Sequence, residues 1–370
     1  MTVHLSMKGD RAMNRLAIRA LGLSALVALA VGSAWAGSDG RKGTNGAVEL
    51  QIPVGARGSA LGAPTASDVK GAEATFWNPA GLAELEGTEA LFSHTGYFAD
   101  MNVNYAAVAV KAGSMGSVGF AAKVLSVGDV IVTTEQAPDG TGEILQPTFS
   151  VLGLSWARSF TDRVNFGMTA NLVNESVASV SANGLAFDFG VQYKTGWRGL
   201  NLAMTMKNFG NSMSFNGQNL EFAALPPGSE PGASSRVVRL TTSSFEMPSY
   251  FNLSASYDAW RQGNSALLFM SAFQNNNFAG DNLCAAAEWT YKDQFALRGS
   301  WFGSMTTSTN VATGVDDFSF DSGDDVYQGV ALGASALAKS GNTSMGLDFS
   351  WRPARDLFND VYEVAVRVKF

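Results

Sequence analysis

The sequence predicts an all-β fold, a 14-stranded antiparallel transmembrane β-barrel. Three observations predict it: apolar and polar residues alternate in long segments from about residue 88 onward, tight turns take every second connection, and charged residues are scarce. Only 15% of the 370 residues are charged, against roughly 25% in ordinary soluble domains, while 46% are hydrophobic. No run of about 18 apolar residues follows the N-terminal region, which excludes a helical membrane protein.

The alternation has the period of two that is typical of β-strands. Around residue 188, Leu185, Phe187 and Phe189 share one face, whereas Asp188 and Gly190 share the other. Strands of about ten residues cross a bilayer at a steep tilt, whereas strands of soluble proteins average shorter. The pattern predicts fourteen strands, at 88–97, 102–112, 115–125, 149–161, 163–176, 183–195, 199–208, 248–260, 264–274, 282–292, 294–304, 328–338, 343–353 and 361–370.

The connections between these strands alternate in length. Short turns such as 113–114 and 292–293 take every second place, and the intervening connections include 126–148, 209–247 and 305–327. Outer-membrane barrels have short periplasmic turns and longer outer loops, so both ends of the barrel wall lie at the short-turn rim. Closure is required because lipid offers backbone N–H and C=O groups no partner. A soluble sandwich or propeller also alternates, but an export signal, the strand lengths and the loop asymmetry favour the barrel.

Residues 1–36 have the pattern of a secretory signal peptide. Arg15 and Arg19 precede an apolar stretch, which is followed by Ala34 and Ala36 and then by Gly37. We expect cleavage after Ala36. The predicted organisation is therefore a signal peptide at 1–36, an N-terminal hatch or plug segment at 37–87, and a barrel at 88–370.

Composition excludes several classes of function. Removal of the signal leaves 21 basic and 31 acidic residues, a net charge of −10 with no basic cluster, so nucleic acid is not a predicted partner. The two histidines, His4 and His94, and the single cysteine, Cys284, are too few for a zinc site, an iron–sulfur cluster or a disulfide framework. We therefore predict no metal and no cofactor.

An enzyme is not predicted either. His94 is the only imidazole after the signal, and its neighbours Ser93 and Thr95 project to the opposite face of a strand. A structural or lumen-facing His94 is favoured over a catalytic one, because a general base must first be placed within reach of its proton. No catalytic residue is assigned.

Several further residues have predicted positions but no assigned chemistry. Cys284 lies an even number of positions from Glu288 in the same strand, so it is predicted to face the lumen and to be inert. An acidic group in the predicted outer loop either binds divalent ions or, as we favour, is a solvated loop; its members are Asp316, Asp317, Asp321, Asp324 and Asp325. Lumen-facing charges that could brace a plug are Lys123, Arg163, Asp188, Lys207, Asp258, Glu288, Arg298, Asp348, Arg367 and Lys369.

The last strand ends on an aromatic residue. Its outward positions are Tyr362, Val364, Val366, Val368 and Phe370. This pattern resembles the C-terminal assembly signal of bacterial outer-membrane barrels, which implies the barrel assembly machinery and outer-membrane lipid as partners. On this parity Val366→Arg puts a cation against lipid, whereas Ala365→Arg faces the lumen and should be better tolerated.

Residues 37–87 do not alternate. They contain Gly-Ala-Arg-Gly-Ser-Ala-Leu-Gly at 55–62 and Thr-Phe-Trp-Asn-Pro-Ala-Gly-Leu at 75–82. The glycines match neither the dinucleotide-binding spacing nor a P-loop, so they are better suited to close backbone packing. The segment is predicted to fill the barrel, with a hatch motif at Trp77, Asn78, Pro79, Ala80 and Gly81.

These two segments resemble the N-terminal hatch of FadL-like barrels, and in particular the PorV/PorQ family. The resemblance extends through 93–97, 128–129, 138–143, 175–178 and 207–210. It implies a FadL-like barrel in the cell outer membrane with an N-terminal hatch.

The resemblance leaves two functions open. A PorV-like protein is an accessory of type IX secretion that binds exported proteins bearing a sorting domain, next to a translocon barrel, and the loop 209–247 would meet that partner. A FadL-like protein is a passive transporter of hydrophobic compounds through a hatch and a lateral opening, and Asn78, Pro79 and Ala80 match its hatch element. The first function is the leading expectation, the second the alternative; neither is enzymatic.

Overall fold

The structure is a computed structural model that describes residues 41–225, 228, 230, 233–310, 315–321, 329–355 and 358–370. The predicted cleavage residues Ala34, Ala36 and Gly37 lie outside these ranges. The barrel strands, numbered in chain order, are β1 Thr88–Gly96, β2 Asn102–Lys111, β3 Ser117–Ser126, β4 Thr148–Ser159, β5 Val164–Val177, β6 Val180–Lys194, β7 Leu200–Gly210, β8 Tyr250–Gln262, β9 Ser265–Asn276, β10 Asp281–Tyr291, β11 Phe295–Asn310, β12 Val330–Ser340, β13 Thr343–Arg352 and β14 Val361–Lys369.

The fourteen strands form a closed antiparallel ring. Each pairs with its neighbour in sequence, and β1 pairs with β14, with Phe92 opposite Val366. At the short-turn rim the Phe370 N–H donates to the Thr88 carbonyl at 2.9 Å. The predicted fold class is confirmed, because closure leaves neither the first nor the last strand with an open edge.

The two faces of the wall differ as the alternation predicts. On β6 Leu185 is exposed on the outer surface, whereas Asp188 on the inner face is buried. An outer surface of this composition is stable only in hydrocarbon, so the barrel spans a membrane, in keeping with a location in the cell outer membrane. Exposed apolar residues from strands around the ring include Phe92, Val108, Phe120, Leu154, Leu172, Met204, Leu253, Leu297 and Leu347.

The long connections carry short extra strands. Val130–Ile131 pairs with Ile144–Leu145, and Glu221–Ala224 pairs with Arg236–Arg239. In the third long connection, β11 continues to Asn310 and pairs with Val315–Asp321. The predicted acidic loop is therefore partly a strand, which contains Asp316, Asp317 and Asp321; Asp324 and Asp325 lie outside the described residues.

Residues 41–87 run through the inside of the barrel, from the long-loop mouth to the short-turn rim. At the long-loop mouth Arg41 pairs with Glu246 at 2.7 Å, and at the other end Lys111 on β2 donates to the Ala83 carbonyl at 2.9 Å. Among the described residues, no helix has the length and hydropathy to cross a bilayer. The helices of this segment are Val48–Gln51, Ala56–Leu61, Ala63–Ser67, Gly71–Glu73, Ala74–Trp77 and Pro79–Glu84.

A charged residue introduced at Val366 tests whether this face of β14 contacts lipid. Val366 lies between Leu347 and Phe92, which are both exposed apolar residues. Val366→Arg should lower the free energy of unfolding in lipid vesicles by about 2–4 kcal/mol, and Met115→Arg at the short-turn rim by about 0–1 kcal/mol. Equal losses in a denaturant titration would contradict the assigned faces.

The expected tolerance of Ala365→Arg is wrong. Ala365 does face inward, but it is 1% exposed and belongs to an apolar cluster that contains Val54 and Ala72 of the 41–87 segment. An arginine there would have to displace this packed interior.

Candidate functional site

The motif Trp77 to Gly81 fixes the turn that leads to the short-turn rim. The indole of Trp77 donates to the Val54 carbonyl at 2.9 Å. The Asn78 side chain accepts from the Ala80 N–H at 3.1 Å and donates to the Ala66 carbonyl at 2.8 Å. Asn78 therefore caps the helix Pro79–Glu84 while tying it to the preceding chain. At Gly81 a Cβ would overlap the Val69 carbonyl.

The barrel wall has a recess for this motif. Gly167 on β5 and Gly190 on β6 are inward positions where a Cβ would overlap the backbone of Pro79 and the side chain of Asn78. Asn78 also donates to the Val191 carbonyl of β6 at 3.4 Å. The motif residues thus contact each other and the wall. Their role is structural, since their polar groups bind backbone and do not face an open space.

Arg57 is the main charged connection between this segment and the wall. Its guanidinium donates to both oxygens of Glu288 on β10, at 3.0 and 3.1 Å, and to Asp68 at 2.9 Å. Arg298 then joins Glu288 to Asp348, at 2.7 and 3.4 Å, and Arg367 contacts Asp348 at 3.3 Å. We call Arg57, Glu288, Arg298, Asp348 and Arg367 the charged brace.

Burial controls the ionisation of the inner segment. Burial raises the pKa of Asp68 despite the opposing charge of Arg57, and burial likewise raises the pKa of Glu73, although the Gly58 N–H donates to that carboxyl at 2.8 Å. Burial opposes ionisation of Glu84 as well, but hydrogen bonds from Lys194 and Lys70 outweigh it, and the pKa of Glu84 is lowered.

A small cavity of about 30 Å³ remains in the middle of the lumen. Phe76 forms part of its lining, and the ammonium groups of Lys207 and Lys123 lie 4.0 and 4.7 Å from the centre of that ring. Lys123 donates to the Ile52 carbonyl at 2.5 Å and Lys207 donates to the Phe76 carbonyl. A space of this size holds a water or two and no larger ligand.

The wall is irregular beside this cavity. Lys207 and Asn208 of β7 together face Asp188 of β6, a β-bulge with Asn208 at a positive φ of 58°. Asp188 stabilises the bulge, because its carboxylate accepts from the Asn208 N–H at 2.7 Å and from the Asn171 amide at 3.0 Å. Lys207 faces the cavity by the alternation that also turns Thr205 inward, and the bulge adds Asn208 to the inner face.

The other predicted positions are distributed as follows. Cys284 is buried on the inner face, 3.9 Å from the Leu61 carbonyl, as predicted. His94 is not lumen-facing: it points outward and contacts Asn104 at 2.8 Å, while Ser93 and Thr95 are buried inside. Among the predicted lumen charges, those on the inner face are Lys123, Asp188, Lys207, Glu288, Arg298, Asp348 and Arg367, whereas Arg163, Asp258 and Lys369 lie toward the short-turn rim with exposed or half-exposed side chains.

The predicted C-terminal signal residues lie on the outer surface of β14 and just after it. Tyr362 and Val364 are exposed to the lipid side, and Phe370 ends the chain at the short-turn rim. Recognition of this strand by an assembly machinery stays a prediction.

The barrel resembles solved structures of channel proteins, although its sequence matches no known family: no protein-family model matches the chain, and no curated protein sequence matches it. The monoaromatic hydrocarbon channel CymD is similar in structure, with a TM-score of 0.51 and 12% identity over 86% of this chain and 98% of that chain. A deltaS2 mutant of the monoaromatic hydrocarbon channel TodX gives a TM-score of 0.50 and 12% identity over 86% and 99%. A FadL homologue of Pseudomonas aeruginosa gives 0.48 and 12% over 86% and 98%.

These likenesses concern the fold. The first two structures show that this chain shares the β-barrel fold of these two channels. Membership of the FadL-like superfamily, which the sequence resemblance implied, stays a prediction, and so does membership of the PorV/PorQ family.

Proposed function

We propose that the protein is a non-enzymatic outer-membrane transporter that passes hydrophobic small molecules through a lumen gated by residues 41–87, which we call the hatch. The observation that carries this proposal is the filled lumen. Among the described residues the hatch packs against the wall on both sides, and the cavity beside Phe76 offers only about 30 Å³, so we infer that cargo passes only when the hatch moves. The similar structures described as hydrocarbon channels support the class of cargo.

The hatch is held differently on its two sides. Toward β1, β2 and β3 it forms an apolar core in which Val54, Val69 and Leu82 pack on Val103 and Leu125 of the wall. Toward β10 to β14 it is held by the charged brace. Separating the apolar side would expose the packed faces of both the hatch and the wall to water. On the charged side, the ionised groups can form ion pairs with other charged groups of the brace when the hatch moves. We therefore assign the opening to the charged side.

An apolar path adjoins that charged side. Leu61 of the hatch packs on Met270, Ala286 and Leu268, which face inward from β9 and β10. Displacement of the helix Ala56–Leu61 would leave these side chains lining a hydrophobic passage. This is the route we assign to the cargo.

A reversible covalent lock tests the movement. A Cβ built at Gly62 lies 3.2 Å from the Cys284 sulfur, so Gly62→Cys places a second thiol within reach of the chain's single cysteine. Oxidation should tether the hatch to β10 and lower uptake of a labelled monoaromatic hydrocarbon by intact cells to the level without the protein. Reduction by dithiothreitol should restore uptake.

The controls separate tethering from strain. Gly62 has a φ of 71°, which favours glycine, so Gly62→Ala carries the same backbone strain without a thiol. Oxidant should leave uptake by Gly62→Ala and by the unmodified chain unchanged. If the oxidised, disulfide-locked protein transports as fast as the same protein after dithiothreitol treatment, cargo does not need hatch movement and the proposal fails.

The PorV-like secretion role is the second candidate, favoured by one observation. The hairpin Glu221–Ala224 with Arg236–Arg239, in the loop 209–247, exposes Phe222, Val237 and Val238 at the outer end of the molecule. Exposed apolar side chains of this kind suit a protein partner. Recovery of a sorting-domain protein or a translocon barrel with the intact chain, lost on deletion of 221–239, would favour this role.

A further inference from the structure

The start of the hatch forms a separate contact at the outer mouth. Residues 45–51, which we call the arm, pack on β4, β5 and β6 and on the loop after β7: Ala47 and Leu50 join Val173, Met213 and Met247 in one apolar cluster. The Gly46 N–H donates to the Glu246 carbonyl at 3.1 Å. The arm therefore connects the wall to the outer loop that covers this side of the mouth.

Two carboxyl groups meet beneath the arm. Glu49 of the arm is 1% exposed and Glu175 of β5 is 5% exposed. Glu175 accepts from the Ala47 N–H at 3.0 Å, and Ala47 is the N-cap of the short helix Val48–Gln51 that carries Glu49. Neither Glu49 oxygen has a hydrogen-bond partner of normal geometry among the described residues.

Neither carboxylate has an ion-pair partner within the part of the chain that the structure describes. The charged group that faces Glu49 from the wall is Lys123 of β3, but its ammonium donates to the Ile52 carbonyl and forms no ion pair with either carboxylate among the described residues. The described residues also contain no group of three acidic, histidine or cysteine side chains that could hold a metal ion. Two neighbouring carboxyl groups that are both buried and not ion-paired disfavour each other's ionisation, so one shared proton is the favoured state.

We propose that Glu49 and Glu175 share one proton and that this proton latches the arm to the barrel wall, so that loss of the proton releases the arm and uncovers the outer mouth. The latch goes beyond transport, because it operates on the arm whether or not a cargo passes. Burial and the neighbouring charge of Glu175 raise the pKa of Glu49 to about 8, in agreement with the geometry.

The direction of the pH dependence follows from proton linkage. The docked arm keeps a proton that a released, solvated Glu49 loses above its ordinary value of 4.5. Docking is therefore strongest at low pH, weakens by up to tenfold per pH unit as the pH rises from about 5 to 8, and changes no further above about 8.

Thiol labelling measures release directly. In a Cys284→Ala background, Leu50→Cys places a thiol at a buried position of the arm, and Val48→Cys places one at an exposed position of the same arm. The ratio of their maleimide labelling rates cancels the pH dependence of the thiol reaction. We expect this ratio to rise by up to tenfold per pH unit between about 5 and 8.

Neutral variants identify the group responsible. Glu49→Gln should make the labelling ratio independent of pH. Glu175→Gln removes the neighbouring charge but leaves Glu49 buried, so it should weaken the pH dependence without abolishing it. A pH dependence that persists undiminished in both glutamine variants but disappears in Lys123→Met would overturn the proposal. So would suppression of release at high pH by millimolar Ca²⁺, because it would make the pair a cation site. Uptake plays no part in this assay, so its result and the result of the hatch lock are distinguishable.

Discussion

Arg57→Gln should detach the charged side of the hatch and turn a nearly closed barrel into one that conducts ions. The change removes both hydrogen bonds to Glu288 and the contact with Asp68, which leaves Glu288 buried with Arg298 alone. Removing one member of a buried ion pair costs about 3–5 kcal/mol, because the other charge stays desolvated. The barrel wall itself should persist, since its backbone hydrogen bonds lie between strands.

Single-channel recording in planar bilayers measures this effect. Larger and longer conductance steps are expected for Arg57→Gln than for the unmodified protein. The exposed Arg261 provides a matched control, because Arg261→Gln removes the same charge from the short-turn rim. The double variant Arg57→Gln with Glu288→Gln should conduct less than Arg57→Gln alone, because the buried carboxylate that Arg57 bound with two hydrogen bonds is then neutral. Asp68 loses Arg57 in both variants. Unchanged conductance with a normal yield of folded Arg57→Gln would show that the brace does not hold the hatch.

The strands of the barrel wall could be predicted from the sequence because contact with lipid imposes a local pattern on each strand. Each strand needs an apolar side chain at every second position, so alternation reveals both strand and face without knowledge of distant residues. β11 departs from this rule: its pairing with Val315–Asp321 continues the strand beyond the predicted limit.

The face of His94, which the sequence analysis left open as structural or lumen-facing, could not be predicted for a related reason. The inner faces of β1 and β2 carry Leu91, Val103 and Tyr105, because the apolar side of the hatch packs on them. The inner face of β1 mixes Leu91 with the polar Ser93 and Thr95. Its outer face carries His94 beside Phe92, so alternation does not distinguish lumen from lipid at that strand. The polar inner faces of β6 and β10 carried the clear signal.

The internal contacts could not be predicted from spacing. Arg57 and Glu288 are separated by 231 positions, and Ala47 and Glu175 by 128. The sequence placed Glu288 in the lumen but did not identify its partner. Glycine at inward positions of the wall, such as Gly167 and Gly190, was the signal that sequence reasoning missed, because such a position without a side chain marks a close approach of another backbone.

Gly167→Ala should displace the hatch motif from the wall. A Cβ at this position would overlap the backbone of Pro79 and Ala80, and that backbone cannot shift alone, since Asn78 caps Ala80 and also bonds to Ala66. Overpacking of a close contact costs about 1–3 kcal/mol. We expect a lower melting temperature in detergent and faster proteolytic cleavage of the chain before residue 88.

Two other glycines of the wall make this expectation specific. At Gly96 on β1 a Cβ meets nothing within 4 Å, and at Gly153 on β4 it meets the Asn171 side-chain oxygen at 2.8 Å, which belongs to a side chain and not to backbone. Gly96→Ala should be neutral. Gly153→Ala should cost less than Gly167→Ala, because it displaces only the Asn171 side chain and its hydrogen bond to Asp188, although all three changes add one methyl group to a barrel strand. If Gly153→Ala and Gly167→Ala behave alike, the backbone approach at Pro79 is not what limits the site. If only Gly167→Ala displaces the hatch, the close approach of two backbones anchors the hatch at the short-turn rim, whereas ion pairs hold its charged side. The contact at Gly167 is then a fixed pivot about which the charged side can open.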